Sequence, residues 1–150
     1  TVLDAFIRGG TFMSNATAPE VSAQLQSFLA FDYGTQRTGV AFGSRLLRQA
    51  QPLPTVSSLG DARWREIEAR IQEWQPDALV VGVPFHPDGA EHENTLRARK
   101  FGRQLHGRFQ LQVFEIDERY STTEALSQGA KDADAASACI ILNQFFAELP

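Results

Sequence analysis

The stretch FLAFDYGTQRTGVAFG, from Phe28 to Gly43, decides how the chain is read. Phe28 to Tyr33 is apolar but for one residue, as in a strand buried on both faces. The exception is Asp32, a carboxylate two residues before Gly34. Gly34 to Thr38 reads as a turn, and Gly39 to Phe42 as a second strand returning beside the first. A charge at the end of a buried strand is costly unless something compensates it. What compensates Asp32 is the question the rest of the chain must answer.

Working outward, Arg45 to Val56 holds a third strand, expected to be broken by Pro52 and Pro54. Asp61 is placed to cap a helix running to about Trp74, with Trp64, Ile67, Ile71 and Trp74 as its apolar stripe and Pro76 as its stop. Ala78 to Val83 is a short continuous apolar strand. A helix from about Asn94 to His106 follows, then the strand LQVFEI, which ends at DERYSTTEA. A last helix starts near Asp134 and runs to about Ala147. The order β-β-β-α-β-α-β-α implies an α/β fold: a mixed five-stranded sheet, three strands in an antiparallel meander and the rest parallel, with helices on both faces. Residues 27–150 make that domain. Residues 1–26 show no sustained period and read as a flexible N-terminal extension, within which Met13 is a natural start.

Composition narrows the class. At 150 residues the chain suits one domain with a real core, and 43% hydrophobic with 21% charged residues is ordinary for a soluble protein. One cysteine, Cys139, excludes an internal disulfide framework, and its apolar neighbours suggest a buried, inert thiol. No apolar run approaches the ~20 residues a membrane span needs, and the first residues lack the pattern of a signal peptide. The expectation is a cytoplasmic protein with no membrane partner. The net charge of −4 is not that of a protein holding nucleic acid by bulk charge. Yet five basic residues, Arg97, Arg99, Lys100, Arg103 and Arg108, stand between Glu91 and Gln110 against two acidic ones. That stripe is either a phosphate-binding face or a solvated helix face.

Three carboxylates fall at the ends of core elements, where open α/β sheets gather their sites. Asp32 is near the end of the first strand. Glu118 is just past the end of LQVFEI and shares alternation parity with Phe114 and Ile116. Asp134 precedes Ala138, Ile141 and Phe145 by 4, 7 and 11 residues, so it leans toward the sheet with them. If the three converge, either cations relieve their repulsion or their pKa values rise. Hard oxygen ligands of this kind suit Mg²⁺ or Mn²⁺, and such ions support phosphodiester cleavage.

Four segments, LAFDYGTQRTGVAFG, VVGVPFHPDGAEH, DERYSTTEA and DAASACIILNQFF, resemble in order and spacing the signature segments of the YqgF/RuvX family. That family comprises bacterial RNase H-like proteins, described as Holliday junction resolvases and as nucleases maturing the 5′ end of pre-16S rRNA. The likeness runs from about Phe28 to Phe146. It implies that Asp32, Glu118 and Asp134 are both catalytic residues and metal ligands for Mg²⁺ or Mn²⁺, with Asp117 adjacent and Asp132 the other candidate for the third position. It further implies that Gly34, Arg37, Arg119 and Thr122, and the helix residues Arg97, Arg99, Lys100 and Arg103, contact substrate. His86 stands where the family often has asparagine, and the segment between Ala125 and Asp134 is shorter than in many relatives. The implied activity is a metal-dependent endonuclease on structured RNA during ribosome maturation, with precursor ribosomal particles among its partners. The other readings are a resolvase of branched DNA and a non-catalytic nucleic-acid-binding or transcription factor. Asp32-x-Gly34 also resembles the first phosphate loop of the actin-like ATPases, whose two lobes 150 residues cannot supply. A monomer or weak homodimer is expected.

Overall fold

The computed structural model describes residues 21–118 and 133–150. The five strands are β1 (Ser27–Tyr33), β2 (Thr38–Ser44), β3 (Gln49–Val56), β4 (Ala78–Pro84) and β5 (Gln112–Glu118). The helices are α1 (Gly60–Trp74), α2 (Glu93–Phe109) and α3 (Ala133–Ala147). The sheet order is β3-β2-β1-β4-β5. β1 pairs antiparallel with β2, and β2 with β3, whereas β4 runs parallel to both β1 and β5. This is the mixed five-stranded sheet the sequence led us to expect.

Alternation along each strand divides the core between two faces. Leu29, Phe31, Leu79, Val81 and Val113 look toward α1 and α2, where they pack with Ile67, Phe101 and Leu105. Phe28, Ala30, Val80, Phe114 and Ile116 look toward α3 and meet Ile141, Leu142, Phe145 and Phe146. Phe28 is gripped edge-on by Phe145 and Phe146, with ring centroids 5.0 and 5.8 Å away. With apolar side chains on both faces, β1 and β4 can only be central strands.

Three local expectations are corrected. β3 is not broken: Pro52 and Pro54 lie within one strand on the edge of the sheet, where a missing N–H deprives no neighbour of a bond. Asp61 does not cap α1. The cap is Leu59, without a side-chain hydrogen bond, and Asp61 sits in the first turn instead, favoured there by the helix dipole. α2 begins earlier than expected because His92 caps it: its ring accepts from the Asn94 amide, and the Thr95 hydroxyl accepts from the His92 amide. Thr95 also donates to the Pro84 carbonyl, tying the start of α2 to the end of β4.

Of the segment before Ser27, Val21 and Leu25 pack against the α3-side core, and the Arg45 guanidinium donates to the Ser22 carbonyl at 2.9 Å. Among the described residues no helix is long and apolar enough to cross a membrane.

Candidate active site

Two carboxylates meet across an intervening strand. β4 lies between β1 and β5, so side chains on β1 and β5 can touch only by passing over β4. At the crossing β4 carries Gly82. A Cβ there would stand 2.5 Å from Glu118 Oε2 and would strike the Ile141 side chain. Gly82 thus opens the space through which Asp32 and Glu118 share a hydrogen bond. Glu118 is 7% exposed. Burial, then the charge of Glu118 and its hydrogen bond, then the charge of Asp134, push the Asp32 carboxyl well above the usual carboxylate range. Holding these oxygens so close disfavours ionising both carboxyls at once.

Asp134 arrives by a second glycine. Gly39 of β2 is the register partner of Asp32, and a Cβ at Gly39 would fall onto the Asp134 carbonyl. The first turn of α3 rests on bare backbone beside Asp32. There the Asp134 carboxylate accepts a hydrogen bond from Arg37 Nε at 2.8 Å. Arg37 itself is held out on the β1–β2 turn, its side chain 63% exposed. The turn is tight because of Gly34, where a Cβ would come 2.5 Å from the Arg37 carbonyl.

The three acids are thus gathered at one end of the sheet, but not as a finished cage. Among the described residues no three His, Cys, Asp or Glu side chains already enclose a metal position. Asp32 and Glu118 form the close pair, and Asp134 is turned to Arg37. Of Asp117 and Glu118, Glu118 is the one beside Asp32 and Gly82. Arg119, Thr122 and Asp132 lie outside the described residues.

The basic helix stands elsewhere. α2 packs on the opposite face of the sheet from α3, so Arg97, Arg99, Lys100 and Arg103 are not brought to the carboxylates. Arg97 bonds Glu93 at 2.6 Å on its own helix. Arg99 bonds Glu91 at 2.5 Å, lies 3.4 Å from the buried Glu115, and covers the Phe85 ring. Despite Arg99, burial raises the Glu115 carboxyl to about 7. Arg108 lies over Trp64, 4.3 Å from the ring centroid. Lys100 and Arg103 are exposed. His86 is exposed at the end of β4, its ring 4.6 Å from that of His92. Cys139 is half-buried, and burial lifts its thiol to about 11, so it is unreactive at neutral pH.

One residue of the site's frame escaped the sequence reading. Arg63 of α1, 6% exposed, donates to the carbonyls of Gly34 and Thr35 at 3.0 and 3.1 Å. Its signal was faint: an arginine one position before Trp64, in a helix with charge on every side.

The profile of the family described as RuvX, Holliday junction resolvase, matches residues 26–148. The chain belongs to the RuvX family. A relative from Polaromonas sp. is 68% identical over 138 residues, which is 92% of this chain and 100% of that protein. One from Albidiferax ferrireducens is 69% identical over 125 residues, covering 83% of this chain and 80% of that protein. Both carry the name "Putative pre-16S rRNA nuclease". Among solved structures, Thermus thermophilus RuvC in complex with a Holliday junction substrate is similar with a TM-score of 0.48 and 17% identity, over 82% of this chain and 95% of that one.

Proposed function

We propose that the protein is a metal-dependent endonuclease that cleaves structured RNA, acting on the 5′ end of pre-16S rRNA. The observation that carries this reading is the Asp32–Glu118 pair, buried, hydrogen-bonded and cleared by Gly82. Two carboxyls forced together in a buried place are a poor structural choice, because burying charge costs stability. They are a good ligand set, because a divalent cation lets both ionise. Hard oxygens and a cradle kept open by glycine fit Mg²⁺ or Mn²⁺. Asp32 and Glu118 would hold the ion, with Asp134 joining them on leaving Arg37. Such an ion, when bound, activates a water and stabilises the leaving oxygen of a phosphodiester. Arg37 then meets a phosphate with the geometry that suits guanidinium. The names of the close relatives support RNA as the substrate.

The family's description favours a second reading, resolution of branched DNA. Symmetric resolution needs two paired sites and therefore a dimer. A panel of end-labelled substrates decides between them: a precursor 16S rRNA fragment, a four-way DNA junction and single strands of each, with Mg²⁺ or Mn²⁺. Preferential RNA cleavage by a monomer is expected. Paired cuts in the junction by a dimer transfer the activity to DNA, and no cleavage of any substrate overturns the nuclease reading.

A further inference from the structure

The β1–β2 turn carries Arg37, yet Arg37 is too exposed to fix that turn itself. The turn is fixed from the other face of the sheet. Arg63 rises from the first turn of α1 and is almost fully buried. Its Nη2 donates to Gly34 and Thr35 carbonyls at 3.0 and 3.1 Å, and its Nε donates to the Ser58 carbonyl at 3.2 Å. Its guanidinium also faces the Tyr33 ring, 5.1 Å from the centroid, and Tyr33 in turn packs on Phe101 at 4.7 Å. A buried arginine whose fork joins two loops is poor economy for a mere surface turn.

Peptide geometry says what the fork does. In a trans peptide the C=O and the next N–H point in opposite directions, and no peptide bond here is cis. Drawing the Gly34 and Thr35 carbonyls toward α1 therefore turns the Thr35 and Gln36 amides away from it. Among the described residues neither amide meets an acceptor. On that side of the turn Arg37 reaches Asp134. Successive outward amides beside a guanidinium make a concavity for an anion.

We infer that Arg63 is a positioning residue: it holds the β1–β2 turn so that Arg37 and the Thr35 and Gln36 amides face a phosphate of the nucleic-acid backbone. The phosphate's identity rests on the nuclease reading; the positioning does not. Lysine keeps the charge but lacks the planar fork whose Nε and Nη2 reach the two loops at once. R63K and R63Q are compared with R37A and with R63K/R37A. The first readout is the ¹⁵N resonance of Arg37 Nε, assigned by its loss in R37A. R63K and R63Q should move it to the position of a freely hydrated guanidinium, with amide signals of β4 and of Phe28 to Ala30 in β1 unchanged. The second is the affinity for a fluorescent single-stranded RNA. R63K should weaken binding roughly tenfold, the worth of a charged hydrogen bond, and should cost less in the R37A background, where only the two amides are left to displace. An unmoved Arg37 resonance overturns the proposal, as do losses that multiply in the double variant. If the wild-type protein binds no RNA, the nuclease reading fails, while the resonance still decides the role of Arg63.

Discussion

Asp32 is stabilised by its proton, and its ionisation works against the fold. Its value in the folded chain lies above that of an unfolded aspartate. The stability it contributes is therefore full at low pH and is lost as pH rises through the folded value. D32N keeps the shape and removes the ionisation. At pH 8 without divalent cations, calorimetry should show a midpoint raised by about 3 °C, equivalent to ~1 kcal/mol for a chain of this size. An unchanged or lowered midpoint contradicts the strained pair. Glu115 offers the same physics away from the site. It is 3% exposed, and its carboxyl is raised from 4.5 to about 7. Wild type should accordingly lose stability relative to E115Q as pH climbs from about 4.5 to above 7, by on the order of 2–3 kcal/mol. Urea titrations of both proteins at pH 4.5, 6 and 8 check this, and parallel curves across that range would sink it. Arg99, still bonded to Glu91, keeps a partner in the variant.

Elements place the carboxylates, and glycines let the elements approach. α3 settles on β2 where Gly39 and Gly43 have no side chains to hold it off. At Gly39 the obstacle to a larger residue is the backbone carbonyl of Asp134, which cannot rotate away. G39A should cost more than 2 kcal/mol, as overpacking against backbone does, and should displace Asp134 from Arg37. The checks are denaturant unfolding and the loss of the Arg37 Nε signal. A fully stable G39A with that signal intact would contradict the packing. At this scale most of the fold was legible, because apolar runs and helical spacing report burial directly. Phe28 to Tyr33 and Ala78 to Val83 were readable as central strands for that reason. What was not legible depended on position in the sheet. The prolines of β3 looked like breaks until the strand proved to be an edge. Asp61 looked like a cap because residue type, not backbone geometry, is what a sequence displays.

For the molecule as a whole, the two faces of the sheet do different work. The α3 face carries Asp32, Glu118 and Asp134; the α1–α2 face supports them from behind through Arg63. The convergence of the acids was readable from parity and helical spacing. The hydrogen-bonded pair was not, since contact across β4 depends on Gly82 standing at one register. Nor was the placement of the basic helix on the far face, because net charge and spacing do not say which way a crossover runs. Arg97, Arg99, Lys100 and Arg103 therefore do not share the acids' cleft, and a substrate reaching both would have to wrap the end of the sheet. The central claim is that the Asp32–Glu118 pair is a cation site for phosphodiester cleavage. It is tested most directly by single-turnover cleavage of an end-labelled precursor 16S rRNA fragment in Mn²⁺, with wild type, D32N and E118Q side by side. Wild type should cut only with the metal, and each variant, folded and at least as stable, should cut at least about a thousandfold more slowly, a loss of ~4 kcal/mol in transition-state stabilisation. Equal cleavage by wild type and D32N would contradict it.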